Sequence, residues 1–176
     1  MSEYMVYSDG WLDGDGRRFP CALGHGGVSS TKREGDGVTP AGTVALRQLF
    51  YRPDRVALPG TAIDAVAIDP DAGWCDAPGD PAYNQPVRLP YSASVERLWR
   101  WDGLYDLCIV LGYNDDPVVA GKGSAIFLHI ARPCFSPTEG CVALARADFH
   151  ILLPRLAPGD TLRIETATAP PMKNGR

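Results

Sequence analysis

Residues 126–144 read IFLHIARPCFSPTEGCVAL, two apolar runs joined by a proline-broken loop, and this stretch sets both the fold and the chemistry. Ile126 to Ile130 is a β-branched and aromatic run of strand length, which places His129 near the end of a buried strand. Arg132-Pro133 and Ser136-Pro137 break any regular element and force a loop. The chain returns through Thr138-Glu139-Gly140-Cys141 into Val142-Ala143-Leu144, so Cys141 stands at a loop-to-strand junction, rigidly supported yet reachable. A thiol, with a reference pKa of roughly 8.5, is a weak nucleophile until a base takes its proton, and His129 is the base this segment supplies. Gly140 leaves room for an acyl group, and the backbone N–H groups around Gly140 and Cys141 are expected to hold an oxyanion. The competing reading of Cys141 is a buried structural cysteine; the glycine before it and the prolines of its loop argue against plain burial.

These residues carry a resemblance. A strand-borne His, a Pro-containing loop, Thr-x-Gly-Cys and an apolar strand resemble the YkuD-type L,D-transpeptidases of bacterial cell walls, especially their short proteobacterial members. A second block, Lys32-Arg33-Glu34-Gly35-Asp36-Gly37-Val38-Thr39-Pro40-Ala41-Gly42-Thr43, resembles the family's glycine-rich Thr-Pro-x-Gly signature, and the two blocks appear in the family's order. The resemblance spans roughly residues 23–164. It implies a mainly β single catalytic domain, sandwich-like or partly barrelled with one C-terminal helix, and the Cys in a surface cleft. It further implies a Cys141 acyl-enzyme formed with a tetrapeptide stem, release of D-alanine, transfer to an acceptor amine in 3-3 or 1-3 cross-links, and no cofactor. Peptidoglycan stem peptides are the expected donor and acceptor partners, carbapenems an expected acylating class, and the periplasm the expected place of action. Hydrolysis of the same acyl-enzyme and a non-catalytic peptidoglycan-binding domain are the alternatives. Many members carry Ser-His-Gly-Cys followed closely by Arg, whereas this chain has Val142, Ala143 and Leu144 after the cysteine. Arg132, fixed in backbone by Pro133, is the candidate for the substrate-carboxylate contact, with Arg88, Lys32 and Arg33 in reserve; Thr138, Glu139 and Tyr113 are further candidates for lining the substrate cleft.

The 176 residues fit one domain with a sizeable core, and 45% hydrophobic against 22% charged residues is a globular balance. A net charge of -4 argues against a general nucleic-acid or anionic-membrane binder. Five cysteines leave at least one thiol free; Cys21 and Cys108 lie in apolar runs and read as buried, while Cys75 and Cys134 stay open. No apolar run reaches the ~18 residues of a membrane span, and the N-terminus shows no readable signal peptide. His129, Cys134, Cys141 and His150 are zinc-ligand types, but their spacing fits no common metal motif.

Outward from the reactive segment, Tyr4 to Tyr7 reads as an edge strand, and Asp13-Gly14-Asp15-Gly16 turns Trp11-Leu12 into a hairpin with Arg17 to Leu23. Residues 24–42 read as a polar glycine-rich loop, in which His25 reads first as a loop histidine, with approach to the cleft as the alternative; Gly42 to Tyr51, Ile63 to Ile68 and Leu104 to Leu111 read as strands. Asp69 to Pro90, dense in Pro, Gly and Asp, reads as an irregular lid or cleft wall with Trp74 and Tyr83 as contacts, and Ser92 to Arg100 as a short helix. Ala145 to Leu156 reads as a helix with Phe149, Leu152, Leu153 and Leu156 on one face, and Thr161 to Glu165 as the last strand. The expected domain covers residues 1–166, followed by a mobile tail, residues 167–176.

Overall fold

The computed structural model describes residues 1–57 and 60–172. The chain opens with a three-stranded meander, β1 (Glu3–Tyr7), β2 (Trp11–Gly14) and β3 (Arg17–Ala22). Asp15 and Gly16 form its two-residue turn, both at positive φ (51° and 70°), the backbone hand that matches strand twist in a hairpin. A short parallel pair, β4 (Val28–Ser29) and β5 (Thr39–Pro40), brackets the glycine-rich loop before the long strand β6 (Gly42–Tyr51) and β7 (Ala65–Ala67). Then come β8 (Ala72–Cys75), β9 (Pro86–Arg88), β10 (Val95–Arg97), β11 (Leu107–Leu111), β12 (Phe127–Ile130) and β13 (Val142–Leu144). The helix α1 (Arg146–Leu152), continued by one 3-10 turn, leads to β14 (Thr161–Glu165).

The strands run in the order β11-β12-β13-β3-β2-β1-β14-β6, and β6 pairs back to β11, so the sheet curls into a partly closed barrel with β7 appended to β6. Two strands make the corners. Arg17 to Pro20 of β3 pair with β2 while Cys21 and Ala22 pair with β13; in the same way the first half of β6 pairs with β14 and its second half with β11. A strand that serves two sheets in succession is how a sandwich closes its edges without an unpaired row of N–H and C=O groups. Inside lie Leu12, Leu49, Leu107, Ile109, Leu128 and Leu144, and the apolar face of the helical segment, Phe149, Leu152, Leu153 and Leu156, is buried with them as its spacing predicts. His150 points to solvent.

The mainly β single domain with one short C-terminal helix matches the sequence expectation, with three local corrections. β1 is no edge strand: β14 pairs with it in parallel on one side and β2 antiparallel on the other. Ser92 to Arg100 holds β10 instead of a helix, because β8 offers Val95–Arg97 a hydrogen-bonding partner and neither serine caps a helix there. The stretch 69–90 likewise contains two strands, β8 and β9, which join β10 in a small separate sheet. That sheet is fastened to the barrel by Trp74, whose ring meets Phe127 edge-on at 5.3 Å and whose indole N–H donates to Asn84 Oδ1 at 2.9 Å. All five cysteines are free; Cys21, Cys75, Cys108 and Cys141 are buried and Cys134 is exposed. After β14, the Ala167 carbonyl accepts from Ser8 N–H and the Ala169 N–H donates to Asp9; the end of the expected mobile tail, residues 173–176, lies outside the described residues.

Candidate active site

β12 and β13 run side by side in parallel, with Leu128 opposite Val142 and His129 opposite Ala143. Because side chains alternate faces along a strand, this register puts His129, Ala143 and the residue just before β13, Cys141, on one side of the sheet. All three line a cleft of about 620 Å³. Cys141 is 7% exposed, its sulfur held between two backbone groups: the Phe127 N–H donates to Sγ at 3.3 Å, and Sγ–H donates to the Ala125 carbonyl at 3.3 Å.

His129 Nδ1 lies 2.9 Å from the Ile130 carbonyl oxygen. A carbonyl only accepts, so Nδ1 carries the hydrogen and Nε2 keeps its lone pair, the tautomer a general base needs. The Tyr105 ring meets the imidazole edge-on at 5.2 Å, and the Tyr105 hydroxyl donates to Glu96 Oε1 at 2.5 Å. Glu96 sits 3.6 Å from Arg100, whose guanidinium grips Asp102 at 3.0 and 2.6 Å.

Burial dominates the protonation of the pair. It pushes the Cys141 thiol up to about 12, with the Glu96 charge adding to the rise while the Phe127 N–H, Lys32 and Arg100 pull the other way. It pushes His129 down to about 4, with the Ile130 hydrogen bond opposing. Both shifts favour the uncharged forms, a neutral thiol and a neutral imidazole, in the resting cleft.

Gly140 contributes geometry. Its φ is +130°, and a Cβ there would lie 2.7 Å from the Val38 carbonyl oxygen. Its N–H donates to Thr138 Oγ1 at 3.1 Å, which removes that group from the donors an oxyanion can use. Gly140→Ala is expected to cost about 2 kcal/mol or more of stability and to lower turnover at least tenfold, because the strained loop moves Cys141; urea unfolding and a turnover assay check both.

Thr138 is the clasp of this loop: its hydroxyl donates to the Cys141 carbonyl at 2.7 Å, its N–H donates to the Leu23 carbonyl and its carbonyl accepts from His25 N–H. Glu139, exposed at the rim, meets His25 Nε2 at 3.0 Å, which brings His25 to the cleft edge. Arg132 lines the cleft, half-exposed and 4.0 Å from Asp102. Tyr113 does not; its hydroxyl donates to the Lys122 carbonyl in a separate depression, because β11 ends two residues earlier and the turn carries it away. Arg88 does not line the cleft and is tied to Asp69 and Asp71. The cleft also contains Lys32, Glu34, Asp76, Glu96 and Tyr105, none of which the sequence singled out as catalytic. Only Lys32 and Glu34 lay inside a recognisable motif. Among the described residues there is no group of three or more His, Cys, Asp or Glu arranged to hold a metal ion.

A family model, the L,D-transpeptidase catalytic domain YkuD, matches residues 2–164. The chain belongs to this family. This YkuD domain also resembles two solved structures at low identity. One is the helical cell shape determining protein Pgp2 from Campylobacter jejuni, with 14% identity, 95% of this chain and 48% of that one covered, and a TM-score of 0.48. The other is an L,D-transpeptidase from Mycobacterium smegmatis, with 12% identity, 93% and 58% covered, and a TM-score of 0.44. The YkuD chain thus spans about half the length of these proteins. No curated protein sequence matches it.

Proposed function

We propose that this YkuD domain is a cysteine acyltransferase acting on peptidoglycan stem peptides. The observation that carries the reading is the placement of His129 on β12 and of Cys141 at the entry to its parallel neighbour β13, both lining one cleft, with no protein partner on Nε2 of the imidazole among the described residues. Neither the thiolate nor the imidazolium is stable alone at this depth, so S–C bond formation and proton transfer proceed together. The Cys141 sulfur adds to the carbonyl of the L,D bond after the third residue of a tetrapeptide stem as its proton passes to His129 Nε2. The adduct collapses, the C–N bond breaks, and His129 returns the proton to the departing D-alanine amine. An acceptor amine then attacks the thioester, losing its proton to His129; the C–S bond breaks, the Cys141 sulfur takes that proton back as a thiol, and a 3-3 or 1-3 cross-link is closed. Arg132 is the contact proposed for the donor's side-chain carboxylate, since a guanidinium matches a carboxylate through paired hydrogen bonds; Glu139 and Thr138 border the same space.

Such a substrate places the reaction outside the cytoplasmic membrane, and no described helix is long and apolar enough to cross one. The test is mass analysis of tetrapeptide muropeptides incubated with the protein. Loss of one alanine together with a cross-linked dimer is the expected result. Tripeptides without dimers make the protein an L,D-carboxypeptidase; unchanged muropeptides with the Cys141 thiol intact leave only a binding domain.

A further inference from the structure

Lys32 comes from a polar glycine-rich loop, yet its side chain is only 3% exposed. Two glycines make room for it. A Cβ on Gly123 would stand 2.8 Å from Lys32 Cε, and a Cβ on Gly140 would stand 3.4 Å from Nζ, so the stem fills a slot beside one glycine and the ammonium rests against the residue before the nucleophile. Of its three N–H donors, one goes to Asp36 Oδ1 at 2.9 Å and one to the Arg33 carbonyl at 3.5 Å; the third has no protein acceptor among the described residues. Asp36 is already engaged by the N–H groups of Arg33 and Val38 at 2.6 and 2.9 Å. Taking an ammonium out of water to make one ion pair is weak as a source of stability, so the position calls for another reason.

The charged and titratable groups around Cys141 supply one. Glu96 faces it from β10, Tyr105 and Arg100 from the segment between β10 and β11, Cys108 from β11, His129 from β12, and Lys32 from the loop between β4 and β5. Glu96 opposes negative charge at the sulfur, and the Gly140 N–H is committed to Thr138. We propose that the Lys32 ammonium, seated against Gly140 in the cleft, is the counter-charge for the negative charge that builds up there during attack, on the Cys141 sulfur as its proton leaves and then on the carbonyl oxygen of the adduct. Lys32 takes no part in the proton transfer; the thiol proton goes to His129, and the carbonyl π electrons become the oxyanion that Lys32 faces. The role on the oxyanion rests on the acyl-transfer reading, whereas the role on the sulfur does not.

The experiment follows iodoacetamide alkylation of Cys141 from pH 7 to 10 by peptide mass, in a Cys134→Ala background that removes the exposed thiol. Lys32→Met removes the cation, and Asp36→Asn removes the anion that offsets it. Alkylation at fixed pH is expected to slow about tenfold in Lys32→Met, as its profile moves up by about one pH unit, and to quicken several-fold in Asp36→Asn. Opposite signs are the signature, since a loosened loop moves both variants the same way. Profiles that coincide with the parent, or that shift together, overturn the proposal. If Lys32→Met does not fold, Asp36→Asn decides alone: faster alkylation supports the counter-charge, and an unchanged or slower rate overturns it. On tetrapeptide muropeptides Lys32→Met is expected to lower kcat about 10- to 100-fold at near-parental KM, and a loss confined to KM reassigns Lys32 to ground-state binding. Opposite alkylation shifts in a protein that turns over no muropeptide keep the counter-charge on sulfur and discard the acyl-transfer reading.

Discussion

With Cys141 as the proposed nucleophile, Cys141→Ala is expected to abolish measurable turnover, with kcat falling about 10⁶-fold, because removing the nucleophile of a catalytic unit forfeits almost everything the unit does. Four other thiols are present, but Cys21, Cys75 and Cys108 are buried, none of them lines the cleft, and Cys134 is exposed in the Pro133–Phe135 turn. Wild-type protein exposed to a carbapenem should gain the mass of one adduct, Cys134→Ala should gain the same, and Cys141→Ala none. Activity that survives in Cys141→Ala and vanishes in Cys134→Ala would move the nucleophile to the other cysteine.

His129→Gln carries the second large effect, in two independent readouts. Loss of the proposed base should lower kcat/KM about 10²- to 10⁴-fold. The same substitution should flatten the acid limb of stability. Burial holds the folded imidazole at about 4 against 6.5 for an exposed one, so between those values the unfolded chain binds a proton that the folded chain refuses. Stability that is complete above pH ~6.5 is therefore lost as pH falls toward 4, on the order of 3 kcal/mol for this one group. Urea midpoints at pH 7.5 and 4.5 should draw together in His129→Gln and stay as far apart as wild type in Cys141→Ala. An undiminished acid loss in His129→Gln would mean the imidazole is already charged in the fold.

The parts of the molecule legible in sequence were those whose pattern is local. Ile126 to Ile130 and Val142 to Leu144 announce strands by unbroken apolar runs, and the spacing of Phe149, Leu152, Leu153 and Leu156 announces a buried helical face. Gly140 and Cys141 were legible because loop, glycine and thiol are adjacent. What stayed hidden depends on partners far along the chain. Val95–Arg97 is extended because β8 pairs with it, and that pairing sends Glu96 to Tyr105 and thence to His129. Tyr113 looked like a cleft residue only while the direction of its turn was unknown. Lys32 was legible only as a reserve contact for a substrate carboxylate; the slot beside Gly123 and Gly140 that buries it is assembled from three distant segments.

β14 enters the barrel between β1 and β6, with Leu162 beside Tyr4 on one side and Val44 on the other. The meander β1-β2-β3 pairs strands that are neighbours in sequence, but the ring cannot close until residues 161–165 have left the ribosome. Before that moment β1 and β6 each present an open edge, the feature that invites pairing with a neighbouring chain. Closure between residues so far apart is slow in the way all long-range pairing is slow. The interval between synthesis of β6 and arrival of β14 is when this protein is most exposed to aggregation, and a nascent chain stalled short of residue 161 should be held by chaperones while the finished domain is not.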